Sequence, residues 1–212
     1  MKPLLVFVFF IFIMSDRVIA QSNDFKMVND TESILIKLLE SSQKFQTVRS
    51  DFEQEKNSSV LTKKAVAKGR FYFKKPAMIK MEYLKPFKYL IVINNGNVTI
   101  KDAENVKQFS SGSSKVFKQI NDIIIQSVDG SIARNINYAV EFYESDKQIM
   151  IVLNPKNKRL KSFINKIQVF FDKKDFSVLK FILEEASGDT LMVTFFNKQQ
   201  NVNFSDAIFS VK

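Results

Sequence analysis

The sequence predicts a mainly β protein with flanking helices, an α+β chain built around one large antiparallel sheet, sandwich or barrel. Three observations carry this. Most of the chain after residue 46 alternates apolar and polar residues with period two, the pattern of strands with one wet face. Turn signals such as Asn95-Gly96, Pro155-Lys156-Asn157 and Gly188-Asp189 cut the pattern into short runs. Only two segments carry a helical stripe, one ahead of the strands and one in their midst.

Residues 1–20 read as a cleaved secretory signal peptide. Met1-Lys2-Pro3 is a short basic start, Leu4 to Met14 is an eleven-residue apolar run, and Val18-Ile19-Ala20 offers compact residues at the cleavage positions. An apolar run of eleven falls short of the roughly 20 residues a membrane helix needs, which argues against an N-terminal anchor. The expected product starts at Gln21. Residues 21–212 then form a single domain, since no Pro-, Gly- or Ser-rich linker divides them.

The first helix follows. Asp30 or Thr31 is placed to cap it, Glu32 suits its first turn, and Ile34, Leu35, Leu38, Leu39 and Ser42 form one apolar stripe. Strands are expected over 48–55, 65–74, 79–83, 87–94, 98–101 and 106–109. A Ser/Gly loop over 110–115 leads to a short helix over 117–128 that carries Ile120, Ile123, Ile124 and Ile125, and Asp129-Gly130 ends it. Flanked in this way, the helix is expected to behave as a flap on flexible joints. Strands resume over 138–143, 148–153, 163–171, 177–183 and 190–196. Their inward positions include Phe52, Phe71, Phe73, Ile79, Met81, Tyr83, Ile91, Phe181 and Phe195, more apolar surface than two short helices cover. Alternation alone leaves open whether that surface packs solid or encloses a cavity.

Composition narrows the chemistry. At 45% hydrophobic and 25% charged residues the chain is globular and not disordered. It contains no Cys and no His, so it has no disulfide, no thiol nucleophile, no zinc–thiolate site, no lipid-bearing N-terminal Cys and no histidine base. No cofactor, metal site or catalytic residue is expected. Glu53 and Glu55 share a strand face, but it is the wet one, and Glu184-Glu185 point to opposite faces. The net charge of +10 is spread along the chain, and no aromatic–basic single-strand reader is present, so nucleic acid is not an expected partner. A basic surface suits anionic membrane, an acidic partner patch, or solubility alone.

Several segments, in order, resemble the outer-membrane lipoprotein carrier family, LolA. They are Phe52-Glu53-Gln54-Glu55, Gly69-Arg70-Phe71-Tyr72-Phe73-Lys74-Lys75-Pro76, Ile79-Lys80-Met81-Glu82-Tyr83 with Pro86, and Asn95-Gly96. Leu153-Asn154-Pro155, Ile167 to Asp172, Gly188-Asp189-Thr190, Phe195-Phe196-Asn197 and Phe204 to Phe209 continue the likeness. The resemblance implies an incomplete antiparallel β-barrel covered by the N-terminal helix and a short lid helix, enclosing an apolar cavity for lipoprotein acyl chains.

On that reading the cavity is lined by Phe52, Phe71, Phe73, Ile79, Met81, Tyr83 and Ile91, with Phe73 and Ile79 at the open rim. Ile120, Ile123 and Ile124 belong to the lid, and Lys75, where the family favours Arg, is the latch that bonds carbonyls near the lid. Lys offers three compact donors in place of a planar fork of five, which weakens a latch of several carbonyls. The implied partners are acylated lipoproteins as cargo, an inner-membrane ABC transporter as donor and an outer-membrane acceptor. The implied setting is the periplasm and the implied state a monomer. A lipid or glycolipid shuttle, or a lipoprotein sensor, of the same fold is the competing reading.

Overall fold

The computed structural model describes residues 24–58, 64–94, 96–110 and 115–211, with side chains of 115–121 excluded. The expected signal peptide and the Ser/Gly loop at 111–114 therefore lie outside the described residues, as does the side chain of Ile120.

Twelve described strands form one antiparallel sheet that does not close on itself. The first six after the opening helix make a meander: β2 (Thr47–Asn57), β3 (Ala65–Lys74), β4 (Met78–Lys85), β5 (Tyr89–Asn94), β6 (Asn97–Lys101) and β7 (Val106–Ser110). The last five make another: β8 (Tyr138–Glu144), β9 (Gln148–Pro155), β10 (Ile164–Asp172), β11 (Val178–Glu185) and β12 (Thr190–Gln200). A two-residue strand, β1 (Lys26–Met27), pairs with β8, so β1 and β7 are the two edges. The meanders join where β2 lies antiparallel to β12, from Thr190 opposite Asn57 to Gln200 opposite Val48. The sheet is thus the open antiparallel architecture the sequence implies.

Helix α1 (Thr31–Gln43) buries Ile34, Leu38 and Ser42. Asp30 occupies the N-cap position, but its side chain makes no capping bond. Helix α2 (Lys115–Asp129) crosses from β7 at one sheet edge towards β8 near the other. Its far end is not a loose joint. Gly130 has φ +77°, and a Cβ there would stand 2.8 Å from the Leu38 carbonyl oxygen of α1. Only glycine lets the two backbones come this close in a left-handed conformation. Asp129 Oδ1 fixes the turn by accepting from Ser131 N–H at 2.8 Å and Ser131 Oγ–H at 2.6 Å.

Three boundaries differ from expectation. The strand predicted from 87 begins at Tyr89, because Pro86 has no N–H for the ladder and the chain bends through 86–87, leaving Phe87 80% exposed. A short helix α3 (Lys158–Lys161) follows the Pro155 turn, started by Asn157 Oδ1 accepting the Leu160 N–H at 2.8 Å. Strand β12 runs on to Gln200 through a bulge, where two β12 residues between Phe196 and Gln199 oppose the single residue Ser50 on β2.

Apolar residues gather in two clusters. One lies under α1 and joins Ile34, Leu38, Ile123, Ile149, Ile151 and Ile167 with their neighbours. The other joins Phe45, Phe52, Phe71, Phe73, Ile79 and Val193. Helix α2 serves both, with Ile123 in the first and Ile124, Ile125 and Val128 against the second.

Candidate functional site

Between the clusters the sheet and α2 enclose an apolar cavity of about 300 Å³. Strand alternation decides which side chains reach it. On β2, Val48, Ser50 and Gln54 face inward, and on β12, Leu191, Val193 and Phe195 do the same.

Five of the expected cavity or lid residues line it: Phe71, Met81, Tyr83, Ile91 and Ile124. Four others are inward but filled over. Phe52, Phe73, Ile79 and Ile123 are at most 1% exposed and belong to the packed clusters, not to the cavity wall. The rim position expected for Phe73 and Ile79 is therefore wrong. They pair across β3 and β4 next to the tight turn and pack solid there. Phe52 is covered for a different reason. It pairs with Gly69, and a Cβ on that glycine would meet the Phe52 ring at 2.7 Å, so the ring takes the space of the missing side chain. Tyr83 seals it edge-on, with ring centroids 5.0 Å apart.

The remaining wall was only partly foreseeable. Phe181 and Phe195 follow from alternation, whereas Phe45 and Phe176 come from connecting segments that carry no period. Phe176 sits at φ 55°, in the turn between β10 and β11.

Polar groups at the wall are few. Tyr83 Oη donates to Gln54 Oε1 at 2.9 Å, and burial, with Tyr89 nearby, pushes the phenol pKa up to about 12. It is a neutral hydroxyl at any physiological pH. Ser127 Oγ donates to the Ile123 carbonyl of its own helix at 2.6 Å. Lys198 enters from β12 and donates through Nζ to Ser177 Oγ. Desolvation holds its pKa below the ordinary lysine value, against the pull of Asp175 and Asp172.

Lys75 bonds α1 and not the lid helix. Its Nζ donates to the Ser42 carbonyl at 2.7 Å and stands 5.0 Å from the centre of the Phe45 ring. The last turn of α1 has no basic residue of its own, so the β3–β4 turn supplies the cation that the carbonyl end of a helix favours. The carboxylates weighed as an acid–base pair sit apart from the cavity. Glu53 pairs with Lys68 at 2.5 Å and Glu55 with Lys64 at 3.1 Å.

No curated protein matches the sequence. Two solved structures that align at a TM-score of at least 0.50 show the fold, and a third aligns more weakly. A LolA superfamily protein from Nitrosomonas europaea aligns with 84% of this chain and 97% of its own, at 11% identity and a TM-score of 0.44. An uncharacterised conserved protein from Thermus thermophilus aligns over 84% of this chain and 92% of its own, at 10% identity and a TM-score of 0.50. MucB aligns over 87% of this chain and 64% of its own, at 11% identity and a TM-score of 0.51. The family model described as outer membrane lipoprotein carrier protein LolA matches residues 43–212, and the chain belongs to that family.

Proposed function

We propose that the protein is a periplasmic carrier that holds the acyl chains of lipoproteins in the cavity under α2. It receives them from an inner-membrane ABC transporter and delivers them to an outer-membrane acceptor. The observation that carries this is the cavity itself, walled by Phe71, Met81, Phe181 and Phe195 within a chain of the carrier family. Burying an acyl chain gains about 0.8 kcal/mol per CH₂, which is enough for tight binding without any reactive group. Flat rings and a thioether repack around irregular chains.

Delivery requires that the empty state not be much less favourable than the filled one. Ile124 and Val128 of α2 already face the cavity, so the helix competes with cargo for the same apolar surface. A lid of this kind lowers affinity while assisting release.

Mass spectrometry of the protein purified natively from its own cells tests the proposal. A co-purifying acylated protein, on a chain whose intact mass begins at Gln21, is the expected result. A free lipid or glycolipid in its place would favour a lipid shuttle of the same fold. A chain that retains residues 1–20 and stays with the membrane on carbonate extraction would overturn the freely diffusing carrier.

A further inference from the structure

One end of the cavity is polar. Ser50, Ser177, Lys198 and Gln200 meet there, where β2, β11 and β12 come together. The register explains how a lysine reaches the inside. Phe196 pairs with Asp51 and Gln199 with Arg49, so Ser50 faces the bulge that contains Lys198. Without the extra residue, the alternation that turns Leu191, Val193 and Phe195 inward would turn Lys198 out. Asn197, at φ 52°, takes the extra position, and its Nδ2 donates to Asp51 Oδ2 at 2.9 Å.

Ser50 and Lys198 both have bonding capacity left over. Ser50 is 2% exposed and its Oγ has no hydrogen-bond partner, although buried hydroxyls are normally paired. An ammonium has three donors, and the bond to Ser177 Oγ uses one. The nearby carboxylates attract the cation without offsetting its desolvation, and their hydrogen bonds go to their own turn. Asp175 Oδ1 accepts from Ser177 N–H at 2.9 Å and Ser177 Oγ–H at 2.6 Å, and Asp172 Oδ1 accepts from Lys174 N–H at 2.8 Å. A cation half-withdrawn from water beside an apolar space favours a ligand that brings the counter-charge.

We infer that the cavity takes a single-chain acyl amphiphile with an anionic head, carboxylate or phosphate, the chain lying along Phe71, Met81 and Phe181 and the head accepting from Lys198 Nζ and Ser50 Oγ. This rests on the proposed acyl-binding role of the cavity and goes beyond it, adding a free lipid as a second ligand beside lipoprotein cargo. The size agrees: about 300 Å³ is the lower end of the roughly 300–1,000 Å³ found for small-molecule pockets, room for one chain more readily than several.

The test is competition against a neutral fluorescent dye on the mature chain, with palmitate, palmitoyl lysophosphatidate and methyl palmitate as competitors. One or both anions should bind about tenfold more tightly than the ester, the size expected of a charge-assisted hydrogen bond in a partly dry site. Lys198→Met should abolish that preference and leave methyl palmitate unchanged, Lys198→Arg should restore it, and Ser50→Ala should weaken the anions alone. A preference confined to palmitate assigns a carboxylate head, and one confined to lysophosphatidate a phosphate. Equal binding of charged and uncharged competitors, or equal weakening of both by Lys198→Met, overturns the head-group site and leaves the acyl cavity standing. Failure of the dye and all three competitors to bind overturns the cavity's acyl role, and the head-group site with it.

Discussion

Lys75 and Ser42 are joined by a 2.7 Å hydrogen bond from the lysine Nζ to the serine's backbone carbonyl. The bond ties the β3–β4 turn to the end of α1, and Phe45, three residues beyond Ser42, lies under the lysine and forms part of the cavity wall. The bond therefore holds the end of the helix behind the cavity, which meets α2 through Ile34, Leu38 and Phe45 as well as at Gly130.

Lys75→Leu should cost about 1–2 kcal/mol, the loss of one charge-assisted bond at a part-buried site. Hydrogen exchange should quicken at the amides of residues 41–46 and stay unchanged in the last turn of α2. Faster exchange confined to α2 would show that the lysine acts on the lid instead.

Phe73 and Met81 separate folding from binding. Phe73 is 0% exposed and fills the core, so Phe73→Ala should cost about 3–5 kcal/mol in chemical denaturation, with dye affinity per folded molecule preserved. Met81 lines the cavity, so Met81→Glu should keep most of the stability and lose dye binding. The opposite pattern would place the ligand elsewhere.

Alkaline pH should weaken the fold through its tyrosines. Burial raises Tyr83 and Tyr138 from 10.0 to about 12 each, so both stay protonated in the native state while the unfolded chain ionises. The native state holds the extra proton between those values. Stability is thus full below pH 10 and falls as pH rises from about 10 towards 12. Tyr83→Phe should flatten part of that decline in urea titrations run across the range, and an unaltered slope would show that Tyr83 is more exposed than its packing implies.

Gly130 and Gly188 form a matched pair. Both have positive φ, but a Cβ at Gly188 meets nothing within 4 Å, whereas one at Gly130 strikes the α1 backbone. Gly188→Ala should cost about 1 kcal/mol of backbone strain, and Gly130→Ala distinctly more as α1 and α2 are forced apart. Equal thermal shifts would mean that the helices separate without penalty.

Most of the sheet could be read from alternation, because an antiparallel strand with one wet face writes its geometry into every second residue. Alternation says which face a side chain takes and not what covers it. That is why Phe52, Phe71 and Phe73, equivalent on paper, divide into filled core and cavity wall once Gly69 and the tight turn are placed. The reach of Lys198 was illegible for a related reason. The run Asn197-Lys198-Gln199-Gln200 reads as a polar strand end, and only its pairing with β2 reveals the inserted residue. Lys75 carried a recognisable position, but its partner lies more than 30 residues upstream in the helix, beyond any local pattern.

The junction of the two meanders also governs how the chain reaches this state. Strand β2 finds its β12 neighbour only after nearly the whole polypeptide has been made, and Thr47 Oγ1 bonds the Val202 carbonyl 155 residues away. Contacts so distant in sequence carry a large loop-closure cost and slow the search for the native topology. A chain interrupted before residue 190 would hold two separate ribbons, with β2 and β11 left as extra unpaired edges inviting aggregation. Slow docking of the halves keeps the chain extended for longer, which suits the passage across a membrane that the proposed periplasmic role requires.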